Sequence, residues 1–149
     1  MSPDETGLGQ AGAVLGFDHV ALPMKNTDAM ISFYRSLGLA VAEHRYLVQV
    51  HLGDQMINFH RPELWQGDFS LRAPEAQPPC GDLCLVWQGA AEELARLLQK
   101  AGAVIIEGPV EREGGRRVTA SSVYVRDPDG NLIEFMTYPD STKEHADVS

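Results

Sequence analysis

An internal repeat organises this chain. A strand-like segment, FDHVAL, is followed by an amphipathic helical pattern, TDAMISFYRSLG, and then by three strand-like segments. Further along, DLCLVW and AAEELARLLQKAG repeat the strand and the helix, and AVIIEG, SSVYVR and NLIEFMTY supply three more strands. Two copies of one strand–helix–three-strand unit predict an α+β fold built from two tandem βαβββ modules.

The composition changes at the borders of these modules. The first module is expected over residues 15–62 and the second over residues 81–138, with a proline-rich linker loop that lacks periodicity at 63–80. Residues 1–14 are rich in glycine, alanine and acidic residues, and residues 139–149 are polar, so both ends are expected to be flexible tails.

Both predicted helices have recognisable ends. Thr27 or Asp28 is expected to cap the N-terminus of the first helix, because short oxygen-bearing side chains accept hydrogen bonds from the free backbone N–H groups there. Gly38 and Gly102 are expected to end the first and second helices.

The segment RDPDGNLIEFM, residues 126–136, is predicted to form two short strands joined by a tight turn. Pro128 fixes one dihedral of that turn, and Gly130 accepts a positive φ without steric cost. The turn does not account for Glu134, a carboxylate among apolar neighbours. We favour a cavity-facing side chain over an edge-facing or hydrogen-bonded one, because an unpaired charge is costly to bury.

The two modules can be aligned residue by residue. A shift of one residue superimposes the strand and helix of one module on those of the other, and DQMINFH then matches GNLIEFM without a gap. His19 corresponds to Asp82, and Asn58 corresponds to Glu134. If two four-stranded sheets close around a common axis, all four side chains can point into one cavity.

The charge and the short apolar runs of the chain argue against two classes of partner, nucleic acids and membranes. Lys and Arg total 12 against 21 Asp and Glu, which gives a net charge of −9. Such a surface repels phosphate backbones and the chain has no clustered basic stripe, so no nucleic acid partner is expected. The apolar runs are too short to cross a bilayer and the first residues do not resemble a signal peptide, so we expect no membrane association and a cytoplasmic location.

The two cysteines do not have the spacing of a redox pair or a zinc knuckle. Cys80 and Cys84 lie in CGDLC, with three residues between them rather than two. Cys84 falls in an apolar strand pattern, so we expect a buried free thiol with a structural role.

The paired modules, with FDHVAL near the start and YVRDPDGNLIEF near the end, resemble the vicinal oxygen chelate superfamily. This superfamily includes glyoxalase I, fosfomycin-resistance thiol transferases, extradiol dioxygenases, methylmalonyl-CoA epimerase and metal-free bleomycin-binding proteins. The resemblance covers residues 17–138, and DQMINFH, DLCLV and EGPVEREG are similar to a glyoxalase-domain-containing subgroup. It implies an open barrel around a central cavity, and a homodimer in which a partner chain covers exposed module edges.

The resemblance also implies a divalent metal, Zn, Ni, Mn or Fe, in the cavity. His19 and Glu134 match the ligand positions of the metal-dependent members, whereas Asp82 replaces a histidine of the dioxygenases and fosfomycin enzymes. Asn58 stands where glyoxalase I has a glutamate, and His60 could complete the site from one pleat away. Such a metal would polarise two neighbouring substrate oxygens, and Glu134 could also shuttle a proton as the catalytic residue.

Several functions are consistent with this reading. The first is a metal-dependent enzyme with lyase, isomerase or epimerase chemistry on a small substrate with neighbouring oxygens. The alternatives are a metal-free protein that sequesters a ligand, as bleomycin-binding members do, or an extradiol dioxygenase.

Each candidate ligand has a structural alternative. His19 could be a core imidazole bonded to a backbone carbonyl, although histidine is the commonest metal ligand. Asp82 could make a turn contact at a strand start, and His60 could be an exposed residue at a strand end.

Five residues are candidates for substrate binding. Gln49 and His51 share one face of a strand with alternating polarity, which meets either the cavity or solvent. Asn58 lies in the predicted strand QMINFHR of the first module, and Tyr124 lies in the predicted strand SSVYVR of the second. Arg116 belongs to the basic loop EREGGRRV, which either clamps a substrate carboxylate or phosphate or is a solvated connection.

Overall fold

The computed structural model describes residues 11–139, so the predicted tails lie largely outside the described range. The α+β fold is confirmed, and each module has the predicted order of one strand, one helix and three strands. The elements are β1 (His19–Pro23), α1 (Thr27–Ser36), β2 (Ala40–Glu43), β3 (Leu47–Leu52), β4 (Gln55–His60), α2 (Pro62–Trp65), β5 (Asp82–Val86), α3 (Ala91–Lys100), β6 (Glu107–Glu113), β7 (Thr119–Arg126) and β8 (Leu132–Thr137).

Two four-stranded sheets share one topology, with strand orders β1-β4-β3-β2 and β5-β8-β7-β6. The first strand of each module runs parallel to the last, and the other pairs are antiparallel. Ala21 and Cys84, each the third residue of its strand, pair with Asn58 and Glu134 respectively. This register agrees with the alignment of the two modules made from the sequence.

One apolar core lies between the helices and the sheets. Because strand residues alternate between faces, the central helix-facing positions of both sheets can be apolar while the other face carries different side chains. Of the described helices, none has the length and apolar character needed to cross a membrane. The buried cluster includes Met30, Phe33, Tyr34, Leu94 and Leu98 from the helices and Val48, Val50, Ile57, Phe59, Val123, Val125, Ile133 and Phe135 from the strands.

The N-terminus of α1 is capped by the other module. Asn26 occupies the N-cap position and its side chain makes no capping hydrogen bond, so the predicted cap by Thr27 or Asp28 is wrong. The backbone N–H groups of Lys25 and Asn26 instead donate to the carboxylate of Asp129, at 2.9 and 2.8 Å. A buried carboxylate from the second module therefore holds the N-cap residue and the residue before it, and its negative charge lies at the N-terminus of the helix.

The turn before β8 is also a junction between modules. Asp127 is buried, and one of its carboxylate oxygens accepts a hydrogen bond from the Tyr34 hydroxyl at 2.7 Å. The same carboxylate accepts hydrogen bonds from the Asn131 side chain and from three backbone N–H groups of its own turn. The segment predicted as a simple turn thus fixes how α1 packs on the second module.

The linker loop contains a short helix that the sequence pattern did not predict. Pro62 begins α2, where its missing N–H is tolerated. Trp65 at its end donates from Nε1 to the backbone oxygen of Met24 at 2.9 Å. The linker is therefore attached to the first module through Trp65.

Candidate functional site

Each sheet has an open face, turned away from the helices. Strand alternation puts His19, Gln49, His51, Asn58 and His60 on the first open face, that of the first module. The second open face, that of the second module, carries Asp82, Cys84, Arg112, Ser122, Tyr124 and Glu134. All the predicted ligands lie on these two faces, so the pleat assigned to them from sequence agrees with the register.

His19 is half-exposed at the start of β1. Its Nδ1 lies 2.7 Å from a carboxylate oxygen of Asp18, and the side chain of Asp18 is itself 89% exposed. A carboxylate at Nδ1 holds the ring in one orientation and leaves Nε2 available to a metal or a substrate. His19 is therefore not the core imidazole that was the structural alternative.

His60 is buried rather than exposed at the end of β4. The ring of Phe69, from the linker, packs edge-on against it with 5.8 Å between ring centres. Burial lowers the pKa of His60, and the nearby charge of Arg72 lowers it further. The imidazole is thus kept neutral, the form that can bind a metal.

Asn58 lies in the middle of the first open face, between Ala21 and Gln49. Its Oδ1 atom is buried and has no hydrogen-bond partner among the described residues. Buried polar atoms are nearly always satisfied, so this oxygen is suited to accept a bond from a ligand or to bind a metal. Gln49 is already engaged, with its Oε1 3.1 Å from Nε2 of His44.

Glu134 occupies the corresponding place on the second open face. The hydroxyl of Ser122, which is fully buried, donates to Oε2 of Glu134 at 2.6 Å. The paired residue Cys84 is free and exposed, so the prediction of a buried structural thiol is wrong. Partial burial of the thiol, together with the charge and hydrogen bond of Glu134 and the charge of Asp82, raises the pKa of Cys84 to about 11.

Two of these neighbours were missed in the sequence. Ser122 and Cys84 have no motif of their own, and only the strand register brings them to Glu134. Alternation along SSVYVR and DLCLV could have put both residues on the same face as Glu134, had the pairing of the strands been known. Asp82, two residues before Cys84, is exposed at the start of β5.

Two arginines of the basic segment before β7 contact different tyrosines. Arg112 belongs to β6, and its Nε donates to the hydroxyl of Tyr124 at 3.1 Å. Arg116 instead stacks on Tyr138, with 4.4 Å between the guanidinium carbon and the ring centre. Of the two arginines, Arg112 is therefore the one that reaches Tyr124, which pairs directly with Glu134.

The candidate ligands are distributed over two faces and do not form a complete site in one chain. Across residues 11–139, no three His, Cys, Asp or Glu side chains lie close enough together to hold a metal ion. The first open face offers imidazoles and the unpaired amide oxygen of Asn58, and the second offers carboxylates. Taken together, these nitrogen and oxygen donors fit Zn, Ni, Mn or Fe.

A groove of about 270 Å³ lies between β1 and β5. It is lined by His19 and Cys84, one residue from each open face, and by apolar side chains that include Phe17, Met56 and Leu83. A mainly apolar groove with a few polar groups is typical of small-molecule sites.

Comparison with known proteins gives the family. Residues 88–135 match the family described as the Glyoxalase/Bleomycin resistance protein/Dioxygenase superfamily. The chain is 35% identical over 130 residues to the Glyoxalase domain-containing protein RDO1 of Mycosarcoma maydis, covering 87% of this chain and 72% of that protein. It is 36% identical over 123 residues to Virulence protein STM3117 of Salmonella typhimurium, covering 81% of this chain and 83% of that protein. The protein belongs to this superfamily, the vicinal oxygen chelate superfamily of the resemblance, and to its glyoxalase-domain-containing subgroup.

Solved structures support the same fold. The crystal structure of STM3117 matches with a TM-score of 0.75 and 32% identity, over 85% of this chain and 99% of that one. Lactoylglutathione lyase from Agrobacterium tumefaciens matches with a TM-score of 0.63 and 22% identity, over 85% of this chain and 96% of that one. At this identity the second match supports the fold alone.

Proposed function

We propose that this protein is a glyoxalase-like, metal-dependent enzyme that performs lyase, isomerase or epimerase chemistry on a small substrate with neighbouring oxygens. We further propose that it acts as a homodimer, in which the first open face of one subunit meets the second open face of its partner. The observation that carries the proposal is the separation of complementary donors, with His19 and Asn58 on one open face and Glu134 on the other. Within residues 11–139, neither face brings together three His, Cys, Asp or Glu side chains that could hold a metal.

Under this proposal His19 and Glu134 hold the metal, and Asp82, His60 or Asn58 completes its ligands. A divalent metal bound there supplies Lewis acidity toward two neighbouring substrate oxygens. The contact between Asp18 and Nδ1 of His19 orients the ring so that Nε2 faces the ligand.

The protein's own contribution to the chemistry centres on Glu134. Ser122 donates to one carboxylate oxygen and so fixes the orientation of the group, while the other oxygen remains available to bind the metal or to exchange a proton with the substrate. Asn58 and His51 would bind substrate from the opposite face, and Gln49, whose Oε1 is held by His44, would contribute its amide nitrogen, because all three side chains share that face.

Elemental analysis of protein purified without chelator tests this proposal. We expect about one transition metal per chain in the wild type and large losses in His19→Ala and Glu134→Ala, because each substitution removes a ligand. His44→Ala is the matched control, since this exposed histidine of the first module contacts Gln49 and is expected to leave the metal content unchanged. No metal after incubation with Zn, Ni, Mn and Fe(II), or equal loss in the control, would contradict the proposal.

A metal-free ligand-binding protein is the second candidate function. It is supported by the apolar lining of the groove between β1 and β5 and by the 53% exposure of Val86 on the second open face. Under this candidate the protein binds a bulky apolar ligand without metal, so the elemental analysis also separates the two functions.

A further inference from the structure

Arg112 and Tyr124 form a pre-organised polar pair on the second open face. In addition to the hydrogen bond from Nε, the guanidinium carbon of Arg112 lies 5.7 Å from the centre of the Tyr124 ring. Nη1 of Arg112 donates to the backbone oxygen of Glu111 at 2.9 Å. The arginine is therefore held at two points, so little side-chain entropy remains to be lost when it binds a ligand.

This pair keeps donors available for an anion. Nη2 of Arg112 makes no hydrogen bond within residues 11–139, and Arg112 makes no ion pair with a carboxylate of that range. Tyr124 accepts through its hydroxyl oxygen, so the hydroxyl proton can be donated elsewhere. Glu111 pairs with Ser121 and so lies on the opposite face of the sheet. Glu107 is the cross-strand partner of Tyr124, but it is exposed and makes no hydrogen bond with Arg112 within residues 11–139.

The pair is adjacent to the proposed metal ligand. Tyr124 and Glu134 are direct partners on β7 and β8, and such partners have Cβ atoms about 5 Å apart. An anionic group held by Arg112 and Tyr124 would thus lie beside the substrate oxygens that reach Glu134. A planar carboxylate matches an arginine N–H and a tyrosine O–H side by side.

We propose that Arg112 and Tyr124 bind a carboxylate of the substrate that is separate from its two chelating oxygens. The substrate class is then a small hydroxy- or oxo-dicarboxylic acid. The position of the chelating oxygens rests on the proposed function, whereas the carboxylate contact depends on Arg112 and Tyr124 alone.

Ligand-observed NMR titrations with malate and lactate test this inference. Both probes are 2-hydroxy acids with the same neighbouring oxygens, and only malate has a second carboxylate. We expect the wild type to bind malate about tenfold more tightly than lactate, the usual size of a charge-assisted hydrogen bond. Arg112→Gln and Tyr124→Phe should each reduce that preference to about twofold or less.

Arg126→Gln is the matched control. Arg126 is exposed, lies on the same open face two residues beyond Tyr124, and donates to the backbone oxygen of Gly130 at 3.1 Å rather than to the Tyr124 hydroxyl. It should retain the preference for malate. A preference that survives Arg112→Gln, one lost equally in Arg126→Gln, or the absence of malate binding in the wild type at millimolar concentrations would overturn the inference.

Titrations of both metal-loaded and chelator-treated protein separate this inference from the proposed function. An Arg112-dependent preference for malate in chelator-treated protein supports the carboxylate site even if no metal binds. Normal metal content in Arg112→Gln, with an unchanged preference for malate, would overturn the carboxylate site and leave the proposed function standing.

Discussion

At the scale of single residues, the neighbours of Glu134 decide what its carboxylate can do. Ser122 donates to one oxygen from a fully buried position, and the Cys84 thiol lies on the adjacent strand. Because the pKa of Cys84 is raised to about 11, the thiol is protonated at neutral pH and can act as a donor to Glu134. Both donors, the Ser122 hydroxyl and the Cys84 thiol, are neutral. They therefore orient the carboxylate of Glu134 without neutralising its negative charge.

The titration of Cys84 is a direct test of this arrangement. In a Cys80→Ala variant, which leaves Cys84 as the remaining cysteine, we expect the rate of alkylation to rise with pH with a midpoint of about 11. Glu134→Gln should lower that midpoint, because it removes a nearby negative charge that favours the neutral thiol. A midpoint at the ordinary value near 9, unchanged by Glu134→Gln, would show that Cys84 and Glu134 do not interact.

The sequence could assign a residue to a sheet face where the pattern of its own strand was sufficient. Side-chain alternation assigned His19, Asn58 and Glu134 to the sheet faces on which they lie. This works because the residues of a strand that share a face are the same whichever strands pair with it. It failed for Cys84, since Leu83 and Leu85 on one face and Cys84 and Val86 on the other are all apolar, and Asp82 at the strand start was read as a possible turn residue. It also favoured Arg116 over Arg112, since the end of a strand in a charged segment has no periodic signal.

At the scale of elements, the N-terminus of α1 depends on a carboxylate from a distant part of the chain. Asp129 accepts hydrogen bonds from two backbone N–H groups that are 103 and 104 residues away in sequence. Asp129 therefore joins the start of α1 to the turn before β8, and the packing of the two modules depends on this contact. Local capping rules could not identify Asp129, because they consider only the residues next to the helix.

Substitution of Asp129 should destabilise the protein more than substitution of the residue that local rules select. We expect Asp129→Ala to lower the free energy of unfolding by about 2–3 kcal/mol, because two backbone donors lose a charged acceptor. Asp28→Ala, an exposed first-turn substitution, should cost only about 0.5 kcal/mol. Urea denaturation of both variants checks the comparison, and equal losses would mean that Asp129 is not the effective cap.

The order of elements was predictable because both modules repeat one pattern. The strands and the two long helices follow from periodicity, and the repeat fixed their grouping. The helix α2 was not predictable in the same way, because four residues are too few to show a helical period. Its position depends on tertiary contacts, chiefly the hydrogen bond from Trp65 to Met24.

At the scale of the whole molecule, the two open faces of one chain have different chemistry. The four histidines of the described range belong to the first module, three of them in strand positions on its open face, whereas Glu134 and Asp82 lie on the second open face. In the described part of a single chain, the two faces do not bring three of these side chains together. A homodimer of this chain would place donors of both kinds in each of two equivalent sites, because a two-fold axis pairs each face with its complement.

The central claim is that the metal site is shared between two subunits. Mixing two variants that each lack one proposed metal ligand tests it most directly. In a mixed dimer of His19→Ala and Glu134→Ala, the first open face of one chain and the second open face of the other are both intact. We therefore expect refolded equimolar mixtures to regain about one quarter of the wild-type metal content, since about half of the dimers are mixed and each has one intact site. Metal content in the mixture no higher than in either variant alone, with mixed dimers demonstrated by native mass spectrometry, would contradict a site shared between subunits.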